Sequence, residues 1–132
     1  MPEPSRRVQT FTDSVIRRMT RISDEVDAIN LSQGFPDFPP PKAITDRLRE
    51  VADEGPHQYS VTFGAENFRE ALARKQGRAY GREINPDTEI LVTCGGTEAM
   101  MSAMMTVCNP GDKVIVFSPF YENYGADAIL SG

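Results

Sequence analysis

The residues that point most directly to chemistry are Thr93-Cys94-Gly95-Gly96-Thr97-Glu98. Before them, Glu89-Ile90-Leu91-Val92-Thr93 predicts a strand, and after them Thr97 to Cys108 predicts a helix. Two glycines at the joint point bare backbone N–H groups past the strand end. The positive end of the helix dipole lies in the same place, so the joint is suited to an anion. It is not a P-loop, because no Gly-Lys-Ser/Thr follows, and it lacks the G-x-G-x-x-G of dinucleotide sites. The turn Asn109-Pro110-Gly111-Asp112 leads into a second predicted strand, Lys113 to Ser118, and then into Ser118-Pro119-Phe120-Tyr121. Strand, helix and strand with a short return predict parallel strands and a right-handed crossover. The glycine joint and the Pro-Phe-Tyr turn then share the carboxyl edge of the sheet, where ligands of open α/β sheets bind. An aromatic ring at 120 or 121 can lie over whatever the joint holds. An anion cradle beside a flat ring suits a phosphate carried on a small aromatic group.

The charge balance limits what can help that cradle. Residues 1–81 hold twelve basic and twelve acidic side chains, whereas residues 82–132 hold two basic and seven acidic ones, which accounts for the net −5. Backbone donors must therefore supply most of the local attraction. A basic face for nucleic acid is lacking. No apolar run reaches eighteen residues and the start lacks a signal-peptide core, so the expectation is a cytoplasmic protein with no membrane span. Cys94 and Cys108 fit no metal spacing and are expected as reduced, packed thiols, with no metal site.

The elements that must carry the site can be read in order. Val15, Ile16, Met19 and Ile22 recur at helical spacing over Asp13 to Ile22. Ile29-Asn30-Leu31 reads as a short strand. Ser32 to Pro41 holds four prolines and two phenylalanines, which excludes helix and sheet interior and favours an extended segment. That segment is either a plain strap or an ordered wall of a site, with Gly34 letting a ligand approach the backbone. A helix from Pro41 ends at Gly55-Pro56, the turn His57-Gln58-Tyr59-Ser60 follows, and a helix from Glu66 to about Tyr80 ends at Gly81. Met100, Met101, Met104 and Met105 make the helix after the glycine joint apolar nearly all round, which predicts burial on more than one side.

Four of these stretches, in this order, resemble one family. Asn30-Leu31-Ser32-Gln33-Gly34-Phe35-Pro36-Asp37-Phe38, His57-Gln58-Tyr59, Val92 to Ala99, and Asn109 to Val114 with Ser118-Pro119-Phe120-Tyr121 are similar to the N-terminal third of class I/II aminotransferases of fold type I. The Gln-Gly-Phe-Pro-Asp-Phe run looks most like the kynurenine, glutamine and methionine branch. The resemblance implies an α/β fold, the N-terminal part of a large domain built as an α/β/α sandwich with a mainly parallel sheet. Residues 1–40 would form an N-terminal arm and substrate-site strap, and 41–132 the first part of the cofactor domain. It implies pyridoxal 5′-phosphate as cofactor, an amino acid and a 2-oxo acid as substrates, a role in amino acid metabolism, and a homodimer. It also implies roles for single residues. Backbone amides of Gly96, Thr97 and Glu98 would hold the cofactor phosphate, and Tyr121 would stack on the pyridine ring. Gly34 and Phe35 would line the substrate pocket, and Tyr59 would reach the phosphate of the other subunit.

The family's chemistry needs a lysine that forms a Schiff base with the cofactor. Lys42, Lys75 and Lys113 occupy no matching position, so no catalytic residue is expected in this chain. The sequence stops at Leu130-Ser131-Gly132, where the next strand is expected, and is read as part of a longer enzyme that does not transaminate alone. The competing readings are a non-catalytic phosphate or pyridoxal binder and a fragment that docks on a partner through its Met-rich helix.

Overall fold

A computed structural model describes residues 2–132. A 3₁₀ turn at Arg6–Val8 is followed by five α-helices: α1 (Val15–Glu25), α2 (Lys42–Asp53), α3 (Glu66–Tyr80), α4 (Gly96–Val107) and α5 (Asn123–Ser131). The first four are the helices expected, shifted by at most three residues at an end. Ser14 caps α1 by accepting from the Arg17 N–H. Gly81 ends α3 in the left-handed conformation, at φ 66°, that a side chain resists. The sequence reading did not include α5. Its start is a turn in which the Tyr124 N–H donates to the Tyr121 carbonyl, 3.0 Å away, and nothing from Asn123 to Ser131 breaks the helix.

The predicted strands are the main departure. Residues 89–93 and 113–118 are not strands, and among the described residues no β-ladder forms. Ile29-Asn30-Leu31 is likewise irregular. A strand is defined by its neighbour's backbone, and neither segment finds one here. The Val92 N–H donates to the Phe63 carbonyl at 3.0 Å and to no ladder. Ile115 and Phe117 are 84% and 86% exposed, so the apolar run reads as sheet interior but meets no sheet. The strand pairing of the sandwich implied by the resemblance is therefore not seen among the described residues.

Packing is concentrated at the C-terminal end. Helix α5 lies against α4 and against the 3₁₀ turn, and these are the helix contacts among the described residues. The Gly111 N–H donates to the Gly132 carbonyl at 2.9 Å, tying the turn after α4 to the end of α5. The Met-rich α4 has no buried residue, contrary to expectation, and Met105 and Val107 face solvent. Among the described residues α5 is the one helix against it.

A second fixed point lies at the start of α3. Arg69, 6% exposed, donates from Nε to the Gly64 carbonyl (3.0 Å) and from one terminal nitrogen to the Pro86 carbonyl (2.6 Å) and Asp87 Oδ1 (2.7 Å). Its Nε and one terminal nitrogen are thereby satisfied on three loop groups. Gly64 is required there: its φ is +106°, and a Cβ would sit 2.4 Å from Val92 Cγ2. The clamp seats Val92 and so sets where the chain enters the glycine joint.

Candidate functional site

The joint itself is built from local bonds. Gly95 stands before α4 at φ 87°, and the Thr93 hydroxyl donates to the Gly95 carbonyl at 2.9 Å. A Glu98 carboxylate oxygen turns back to accept from the Cys94 N–H, so the acid in the first turn faces the loop and caps it. Ala99 N–H reaches the Gly95 carbonyl at 3.3 Å. Among the described residues nothing accepts from the N–H groups of Gly96, Thr97 and Glu98. Three bare donors thus stand at the helix N-terminus, a setting suited to an anion. A Cβ added at Gly96 would meet nothing within 4 Å, so the space before it is open.

That cradle opens into a cavity of about 370 Å³ lined by Gly96, Thr97, Met100, Tyr121, Asn123, Tyr124 and Asp127. Helix α4 supplies three of these residues, and the turn into α5 and α5 itself supply the rest. The structure thus brings Gly96, Thr97 and Tyr121 to one cavity without a paired sheet beneath them. Tyr121 packs edge-on against Tyr124, with ring centroids 5.9 Å apart and planes at 81°. The Asn123 amide donates to the Thr97 hydroxyl at 2.9 Å and joins the two walls.

Asn123, Tyr124 and Asp127 were not among the residues singled out in the sequence. The signal for them was the helical register after Tyr121, which places positions 123, 124 and 127 on one side of α5. Asp127 is 3% exposed and its Oδ2 has no hydrogen-bond partner. None of the lining residues is cationic, as the charge count anticipated.

The remaining candidates stand apart. Gly34 and Phe35 lie on an exposed, irregular segment, with Phe35 facing solvent, and neither lines the cavity. Tyr59 is 98% exposed and holds φ 57°, an uncommon conformation for a ring-bearing residue. Glu98 contributes its backbone to the helix start but its side chain is spent on Cys94. Lys42, Lys75 and Lys113 do not line the cavity. Both cysteines are free, but Cys94 is exposed where a packed thiol was expected, because it stands at the open joint. Among the described residues no cluster of three metal-ligating side chains occurs, and no helix is long and apolar enough to cross a membrane.

The residues present fit a phosphorylated aromatic group. Bare helix-start donors would take the phosphate, the open space before Gly96 admits it, and Tyr121 lies at the same cavity for the ring.

Comparison with known proteins gives the same direction. The family model for aminotransferase class I and II matches residues 26–132. A methionine aminotransferase of Escherichia coli is 37% identical over 129 residues, covering 98% of this chain and 33% of that protein. A kynurenine–oxoglutarate transaminase of Dictyostelium discoideum is 33% identical over 131 residues, covering 98% and 30%. A crystal structure of an Escherichia coli protein with methionine aminotransferase function superposes with a TM-score of 0.91 at 36% identity, over 100% of this chain and 35% of that one. The chain spans about a third of the length of the curated relatives it matches.

Proposed function

The chain belongs to the class I and II aminotransferase family, and from that premise we propose that it supplies the phosphate cradle and ring-stacking residue of a pyridoxal-phosphate-dependent aminotransferase. The observation that supports this most is the joining of the unpaired Gly96 and Thr97 N–H groups and the Tyr121 ring at one cavity, with the unpaired Glu98 N–H next in the same helix start. When bound, the cofactor supplies the electron sink through which an amino group passes between an amino acid and a 2-oxo acid.

In this reading, Gly96, Thr97 and Glu98 bind the phosphate through their backbone N–H groups, at the positive end of α4. Thr97 Oγ1, already accepting from Asn123, keeps its own hydrogen free for a phosphate oxygen. Tyr121 covers one ring face, with Tyr124 bracing it from the edge. Gly34 and Phe35 form a wall of the substrate pocket. Tyr59, exposed on its loop, reaches the phosphate site of a second copy in a homodimer. Segments 89–93 and 113–118 become strands of a mainly parallel α/β/α sandwich when neighbouring strands pair with them, which also covers the open side of α4. The reactive lysine lies outside these residues. A cytoplasmic enzyme of amino acid metabolism is the setting we infer.

The test is transamination. The natural gene product carrying these residues, given pyridoxal phosphate, methionine or kynurenine as donor and 2-oxoglutarate as acceptor, is expected to turn over. The 132 residues alone are expected not to. Turnover by these residues alone, or a gene product that takes up no pyridoxal phosphate, would refute the reading.

A further inference from the structure

The function above leaves one set of polar contacts unused, and it begins beside the stacking residue. Glu122 follows Tyr121 and is half-buried, but its carboxylate turns toward the N-terminal arm. One oxygen accepts from the Ser14 hydroxyl at 2.5 Å and the other from the Val15 N–H at 3.2 Å. Val15 opens α1, so a carboxylate sits on bare donors at a positive helix end, and both interactions are charge-assisted. Arg7 adds a bond to the Leu130 carbonyl at 3.3 Å, so the arm meets α5 at both of its ends.

The other side of α1 holds the strap. The Asn30 amide donates to the Thr20 hydroxyl at 3.0 Å, and that hydroxyl lies within 3.3 Å of Gln33 Oε1. Asn30 Oδ1 accepts from the Ser32 N–H (2.9 Å), the Ser32 hydroxyl (2.6 Å) and the Gln33 N–H (3.4 Å). Asn30 therefore sets the turn that delivers Gly34 and Phe35 and fastens that turn to α1. Among the described residues α1 touches no other helix, so these side chains are what orient it.

We propose that Glu122 is a positioning residue that fixes the substrate-site strap through α1 and Asn30, setting it against the turn that carries Tyr121. The proposal rests on the aminotransferase reading for its consequence, since the strap matters only if Gly34 and Phe35 meet substrate. Glu122 touches neither cofactor nor substrate. Its loss frees the strap but leaves the cradle and Tyr121 in place, because those are held by α4, α5 and the Asn123–Thr97 bond.

The natural gene product loaded with pyridoxal phosphate is compared with E122A, E122Q, N30A and the E122A/N30A double variant. Removing two charge-assisted bonds is expected to raise KM for the amino acid about tenfold in E122A. The kcat and the cofactor affinity stay within about twofold, the pattern of a lost binding contribution and not of lost chemistry. E122Q keeps one acceptor oxygen and falls between, at about threefold. N30A raises KM as E122A does, and the double variant is no worse than either single one, because both break the same chain of contacts. Hydrogen exchange without substrate gives an independent readout. The Ser32 and Gln33 amides are expected to exchange about tenfold faster in E122A. If E122A does not fold, E122Q and N30A carry the same comparisons. Unchanged exchange and unchanged KM, multiplicative effects in the double variant, or equal losses in kcat and cofactor affinity overturn the proposal. Faster exchange in a protein whose wild type neither binds pyridoxal phosphate nor transaminates overturns the site reading and leaves the tether standing.

Discussion

The two ends of this chain solve the same positioning problem differently. From Val92 to Gly132, each site residue is fixed by something close to it in sequence. The Gly95 φ, the Glu98 bond to Cys94 and the turn from Tyr121 to Tyr124 all span four residues or fewer. The longer links, Asn123 to Thr97 and Gly111 to Gly132, join neighbouring helices. From Leu31 to Phe63 the opposite holds. Phe35, Phe38, Ile44, Leu48 and Tyr59 are all exposed, and α2 touches no other helix among the described residues. A cradle at a helix start is assembled by the chain that carries it. A wall made of prolines and a reaching tyrosine takes its position from what it leans on.

The comparison has consequences that differ in size. The largest effect is expected at the cradle. Gly96 has an ordinary φ and open space where a Cβ would go, so G96V should fold normally while its side chain fills the phosphate approach. A loss of about a hundredfold in pyridoxal phosphate affinity is expected, or about 3 kcal/mol, with an unchanged circular dichroism spectrum. Affinity within twofold of wild type would remove the cradle from the account. Next is Y121A, where losing the stacking ring should lower cofactor affinity about tenfold and red-shift nothing in the fold signal. Equal affinity would mean that the ring lies elsewhere.

Smaller effects separate the two ends more sharply. N123A removes the bond to Thr97 and is expected to lower stability by about 1 kcal/mol in urea unfolding, with cofactor affinity down a few fold. An unchanged unfolding midpoint would show that the α4–α5 packing holds the walls without it. Y59F should leave stability unaltered and lower cofactor affinity about fivefold, but only at protein concentrations where a dimer forms. An effect independent of concentration would place Tyr59 in its own subunit's site.

The smallest effect is electrostatic. The Glu89 carboxyl is held below the usual glutamate range, chiefly by the Asn85 N–H at 2.8 Å and then by the Arg82 guanidinium at 2.7 Å. A depressed value in the folded state stabilises above the unfolded glutamate range, and that stabilisation disappears as pH falls through the folded value. E89Q is therefore expected to lower stability slightly at neutral pH and to converge on wild type as pH falls through the folded value, which flattens the acid side of the stability profile. An acid limb as steep as that of wild type would assign the pH dependence to other carboxylates.

What the sequence disclosed follows the same division. The helix ends at Gly81 and at the glycine joint were legible because each depends on a backbone conformation that glycine alone adopts easily. The meeting of Gly96, Thr97 and Tyr121 was anticipated from a parallel sheet, and it occurs although the sheet does not form. Contact between α4 and α5 brings them together instead, and α5, nine residues long with no side-chain cap, carries little start signal in the sequence. The expected strands do not pair among the described residues, and the reason is physical. Val114 to Phe117 carries the composition of a buried strand, but composition records what a segment needs and pairing requires a neighbour. Asp127 was invisible for a related reason: an acid in an apolar helix reads as exposed until the helix that covers it is known.

The proposed role of this chain turns on whether the start of α4 holds the phosphate of a ring-bearing cofactor. The most direct test compares pyridoxal phosphate with pyridoxal, which has the ring and no phosphate, in equilibrium titrations of the natural gene product and its G96V variant. The account predicts that wild type binds pyridoxal phosphate at least about a hundredfold more tightly than pyridoxal, and that G96V removes most of that difference. Equal affinity for the two ligands, or a preference that survives in G96V, would contradict it.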